Sequence, residues 1–247
     1  MMAVVASAVS TDTAEGGLTR MRAGSGRPNT RTTRPIVALA ATVLATILAT
    51  TITPAAAHHV GSYVPRDNAI TTNFKQIKFS VQAKRFDVAL QLFEQGAVRA
   101  EMRAQAATLP PGLEDGSRAA LRASDGLETE RRLMIFFAAL ARDLAVEADR
   151  RLAGPAVTPE TRAATGRKFL EAIWRYYNLV DFAVAMRDNK SSVAVRLAFD
   201  EAEGYVKPET GGAAPDDPAK ARQPIQRIAQ VLSTLIETSS TSARRSS

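Results

Sequence analysis

The only two histidines of this 247-residue chain stand side by side in "TTITPAAAHHVGSYVP", as His58 and His59, directly after three alanines. Amine and imidazole nitrogens together suit Cu(II). A signal peptidase cut after Ala57 would expose both at once, as the new α-amine of His58 and its ring. A cut after Ala56 would instead place His59 third. The amine, two deprotonated backbone amides and the His59 ring would then enclose Cu(II) or Ni(II) in a square plane. Pro54 at the outer recognition position disfavours that cut. His58 and His59 are thus the candidate metal ligands and Cu(II) the candidate cofactor. The plainer expectation is a flexible N-terminus that happens to begin with histidine, with no further groups to orient the rings.

A mature chain beginning at His58 resembles the copper histidine-brace enzymes at its first residue. Those enzymes need another histidine from elsewhere in the fold, and this sequence holds only the adjacent His59. A brace within one molecule cannot be completed.

Carboxylates are the remaining groups with catalytic chemistry. Asp143 and Glu147 share a helical face, Asp181 follows on the next long helical stretch, and "FDEAEG" carries Asp200, Glu201 and Glu203. A carboxylate-bridged di-metal bundle also needs inward Glu-x-x-His pairs, which are absent. "LAVEADRRL" is similar to the glutamate-bearing helix of lytic transglycosylases, which would imply a carboxylate-dependent cell-wall hydrolase using Glu147. The serine and the Gly-Leu-Met-Gln-like segment of that family are missing. The expectation for these acids is a solvated face paired with Arg142, Arg150 and Arg196.

The chain has no cysteine, which closes thiolate catalysis, disulfides and cysteine-ligated metals. Neither a nucleophile elbow, nor a phosphate loop, nor a dinucleotide fingerprint is present. No catalytic residue is therefore expected. The net charge of +7 suggests nucleic acid, but its distribution does not. Arg20, Arg22, Arg27, Arg31 and Arg34 face only Asp12 and Glu15 in the first 57 residues, and Arg244 and Arg245 lie in the C-terminal tail. The remaining signs are interspersed along helices instead of massed on one face, so no nucleic-acid partner is expected.

The same N-terminal stretch runs basic (Arg22 to Arg34), apolar ("PIVALAATVLATILATTI", 35–52) and small (Ala55 to Ala57). That is the order of a secretory signal. Residues 1–57 therefore read as upstream sequence plus signal peptide, with Met21 an alternative start. Cleavage after Ala57 would leave a periplasmic or secreted chain without stable membrane insertion.

The elements that must carry any site are helical. Ile70, Phe74, Ile77 and Val81 step by three and four, and Phe86, Leu90 and Phe93 resume after Lys84-Arg85, with Asp87 a candidate cap. "TLPPG" at 108–112 ends this element, and "SRAALRA" at 117–123 is a short amphipathic piece. A strong helix then runs to about Leu152. Thr158 as N-cap and Pro159 at the first position restart the chain. Phe169, Ile173, Tyr176, Val180 and Ala183 form the inner face of that helix, flanked by Leu170, Trp174, Tyr177 and Phe182. Glu171 and Arg175 are an i,i+4 pair. "RDNKSS" breaks it, and Ser191 or Ser192 caps a helix through Val195, Phe199 and Ala202 that exits at Gly204.

No strand signal appears. The expectation is all-α: a bundle of four or five helices, or stacked helical hairpins, with disordered termini. Residues 58–69 read as an extended mature N-terminus and 70–206 as the bundle. A linker (207–223), a C-terminal helix (224–238) and a disordered tail (239–247) complete the chain.

"KRFDVALQLFEQGA" is similar to the turn and second helix of a tetratricopeptide repeat, through Phe86, Ala89 and Phe93. The likeness covers half of one repeat, lacks the first-helix aromatic and glycine, and has no second copy at the usual period of about 34 residues. It reads as an ordinary amphipathic hairpin.

Trp174, Tyr176 and Tyr177 are the most distinctive apolar feature. They are the candidate partner-binding surface, although aromatics at helical spacing are more often core. The functional expectation is an exported helical protein without catalytic activity. It would act by binding another exported protein, with copper handling and cell-wall hydrolysis as alternatives.

Overall fold

The computed structural model describes residues 66–154, 158–207 and 217–242, and every regular element among them is helical. The all-α expectation holds. Among the described residues there are eight α-helices where four or five were expected, the N-terminal part of the bundle being divided into short ones.

Four short helices come first. Helix α1 (Ala69–Gln82) opens with a capping box, in which Asn68 Oδ1 accepts from Thr71 N–H at 2.9 Å and Thr71 Oγ1 accepts from Asn68 N–H at 2.8 Å. These bonds satisfy two donors that a helix start leaves open. Helices α2 (Phe86–Gln95) and α3 (Ala97–Ala104) are split at Gly96, and α4 is Leu113–Arg122. Asp87 lies in the first turn of α2 and does not cap it; Arg85 holds the cap position without a side-chain bond.

Two of these helices end identically. After α1, Lys84 turns left-handed (φ 60°), with Lys84 N–H bonded to Val81 O at 3.0 Å and Arg85 N–H to Ser80 O at 2.8 Å. After α4, Ser124 does the same (φ 55°), with Ser124 N–H on Leu121 O at 3.1 Å and Asp125 N–H on Ala120 O at 2.9 Å. Both are Schellman closures, a position usually given to glycine. They pack against each other: a Cβ added at Gly126 would meet Val81 at 3.4 Å and Phe86 at 3.6 Å. The α1–α2 and α4–α5 hairpins thus share one turn geometry.

Four long helices follow. Helix α5 (Gly126–Leu152) starts on Asp125, whose carboxylate accepts from Glu128 N–H at 2.9 Å. Residues Leu133 to Ala141 of α5 are all buried, as a helix with neighbours on every side requires. Helix α6 (Pro159–Arg187) begins on the expected Thr158 cap with Pro159 first. Helix α7 (Asn189–Val206) is capped by Asp188, not by Ser191 or Ser192, and runs two residues past Gly204. A 3-10 turn (Pro218–Ala221) leads into α8 (Arg222–Ser242). Around the core the packing runs α5 on α6, α6 on α7, α7 on α8 and α8 back on α5, a four-helix bundle.

Residues 217–223 therefore belong to the packed body and not to a linker: Ala221 is fully buried. Arg222 Nε reaches Asp149 at 2.7 Å across the α8–α5 junction. The last helix also continues through residues 239–242, which were expected to be tail. Among the described residues no helix is long and apolar enough to cross a membrane. The predicted leader with its cleavage after Ala57, residues 58–65 of the predicted extended N-terminus and residues 243–247 of the predicted tail lie outside the described residues, while Ala69 already begins α1.

Candidate docking groove

The inner face of α6 steps through Leu170, Ile173, Tyr177, Val180 and Val184, all buried. Phe182 sits two residues from both Val180 and Val184, about 200° around the helix from each. It is 73% exposed, as is Met186 one turn later, so the expectation that Phe182 flanks the inner face is corrected. Leu127, in the first turn of α5, is 76% exposed.

These three side chains border a groove of about 370 Å³ with three helical walls. Helix α1 supplies Phe74, Lys78 and Val81; α5 supplies Leu127, Glu130, Leu133 and Met134; α6 supplies Val180, Phe182, Met186 and Arg187. The floor is apolar and buried. Phe74 is locked by Phe137, their ring centroids 4.5 Å apart. Asn68 Nδ2 donates to Tyr176 Oη at 3.1 Å and ties the start of α1 to α6.

The charges of the groove differ from those nearby. Glu128 is taken by Arg131 and by Arg132, the latter at 2.6 Å. Lys78, Glu130 and Arg187 have no ion-pair partner among the described residues; Lys78 only lies 6.0 Å from the Phe74 ring centre. An apolar floor with a few unpaired polar groups at its edge has the composition of a recognition site.

Sequence reasoning missed this groove because its residues come from three separated segments. The available signal was the i,i+4 pair Phe182 and Met186 opposite a complete inner stripe.

Burial tells against two of the three expected partner-binding aromatics. Tyr177 is fully buried and Trp174 is 7% exposed, with Trp174 packed on Phe199 at 5.0 Å between ring centres. Tyr176 is half-buried against Phe137. Trp174 and Tyr177 join α6 to its neighbours, while Tyr176 keeps part of its ring at the surface. The Tyr177 hydroxyl lies beside Ser192 and Asp181 without a hydrogen bond of acceptable geometry. Burial, helped by the Asp181 charge, pushes its ionisation up, so it stays neutral.

Three of the acids pair with the expected arginines, but Asp181 and Glu203 are buried and not on a solvated face, and Glu201 meets Arg227 at 2.8 Å. Arg142 meets Asp143 at 2.7 Å, Arg150 meets Glu147 at 2.6 Å, and Arg196 holds the buried Asp181, which also accepts from Ser192 Oγ at 2.9 Å. Hydrogen bonds from Arg150 and then Arg151 hold Glu147 down to about 2. A carboxyl that low carries no proton at neutral pH and is poorly suited to act as a general acid. Among the described residues no group of three His, Asp or Glu side chains is placed to hold a metal. His58 and His59 lie outside the described residues. No family model, curated protein or solved structure matches the chain.

Proposed function

We propose that this chain is an exported helical binding protein, periplasmic or secreted, that serves as an accessory or scaffold for another exported protein. The basic, apolar, small order of residues 22–57 supports export. The observation that carries the binding reading is the projection of Leu127, Phe182 and Met186 around one apolar groove. Large apolar side chains clustered at a groove mark an interaction site, whereas scattered ones need no explanation. Met186 adds an unbranched, adaptable side chain that repacks around a partner.

The test is to replace Phe182 with a photo-crosslinking residue in the full chain in cells and fractionate them. A discrete adduct from the exported fraction, lost when Leu127→Asp is added, is the expected result. The exposed Asn178 of the same helix is the control position. An unprocessed chain confined to the cytosol, or equal adducts from both positions, would refute the reading.

A further inference from the structure

The groove also restricts the shape of what fills it. Its floor residues Phe74, Val81, Leu133, Met134 and Val180 all lie within helices, so their backbone groups are already hydrogen-bonded. Among the described residues there is no strand, and hence no sheet edge to extend. An extended peptide in this groove would bury its own N–H and C=O groups against carbon and leave them unpaired, which is costly. An α-helix brings its hydrogen bonds with it and presents only side chains. Three projecting apolar groups on two walls can pack on the apolar stripe that such a helix presents.

Charge fixes the second property. Lys78 on the α1 wall and Arg187 at the end of α6 are both unpaired, against the single carboxylate Glu130 on α5. Two positive edges and one negative group favour an occupant acidic along the α1 and α6 edges. Like charges brought to those edges would be costly.

Resting on the binding reading above, we infer that the groove takes a single amphipathic α-helix of a partner protein, apolar along one stripe and acidic along the edges facing Lys78 and Arg187.

The probes are two synthetic peptides of about 18 residues, long enough to hold a helix. They share one Leu/Phe stripe and carry Glu or Lys at the flanking positions. Binding to the full chain is followed by fluorescence anisotropy at low salt. The Glu peptide should bind about tenfold more tightly than the Lys peptide. The double variant Lys78→Glu, Arg187→Glu should reverse that order. Phe182→Asp, an exposed site that leaves the core untouched, should weaken both.

Equal binding of the two peptides, binding of neither, or equal competition by a proline-interrupted peptide of the same composition overturns the inference. So does a wild-type dimer that Phe182→Asp dissociates, which would make a second copy the occupant. A Phe182 crosslink without peptide preference removes the helix and leaves the binding reading standing. Peptide preference without an exported crosslink does the reverse.

Discussion

The side-chain amide of Asn73 occupies the place where a Cβ on Gly96 would lie, its Oδ1 being 2.2 Å from that position. From there Nδ2 donates to Leu92 O and Oδ1 accepts from Val98 N–H, each at 3.0 Å. One buried asparagine of α1 thus satisfies the end of α2 and the start of α3. Asn73→Ala should cost about 2–4 kcal/mol, because two backbone groups lose their partner in a site closed to water. Gly96→Ala, which displaces the same amide, should cost about 1–3 kcal/mol. Urea unfolding of both variants checks this, and a loss near zero for either would refute the shared role.

Lys84 and Ser124 hold left-handed backbone without the freedom of glycine, at a cost of about 1–2 kcal/mol for an L-residue. Lys84→Gly and Ser124→Gly should each raise stability by about 0.5–1 kcal/mol, the gain being reduced by the looser unfolded chain. The unfolding midpoint should rise with an unchanged slope.

Tyr177 buries a hydroxyl that finds no partner. Tyr177→Phe should therefore be neutral, or stabilising by about 1 kcal/mol. Trp174, the only tryptophan, lies 6.1 Å from Tyr177 between ring centres, so its emission reports whether the local packing survives. A loss above about 2 kcal/mol would show that the hydroxyl is bonded after all.

Three glutamates, together with Asp67, Asp149 and Asp188 held below 3.8, set the acid limit. Arg99 lowers Glu114, Arg131 lowers Glu128, and Arg150 with Arg151 lowers Glu147 to about 2, all from 4.5. Below 4.5 the unfolded chain takes up protons that the folded chain refuses, so stability falls as the pH falls. Stability should be level above about pH 5 and decline from 4.5 towards 2, more gently at high salt where exposed pairs are screened. Denaturant titrations at stepped pH measure it, and a curve that rises on acidification would contradict these pairings.

Where the signal was local, the sequence was readable. Thr158 and Pro159 start α6, Leu152 ends α5, and Glu171 meets Arg175 at 3.2 Å. What escaped depended on partners distant in the chain. Lys84 and Ser124 carry no turn signature because a Schellman closure is chosen by helix packing as much as by glycine. Ala221 is buried although its neighbours are proline and charge, because α8 returns it to the bundle. Trp174 and Tyr177 left a surface reading open beside the more frequent interior one until α7 was in place beside them. The docking groove needed α1, α5 and α6 together, and no single window contains it.

Helix α8 carries Ile225, Ile228, Leu232, Leu235 and Ile236 into the core beside α5. The most central helix of the molecule therefore stays bare along one flank until α8 is in place. A chain made only as far as α7 is a three-sided bundle that cannot close.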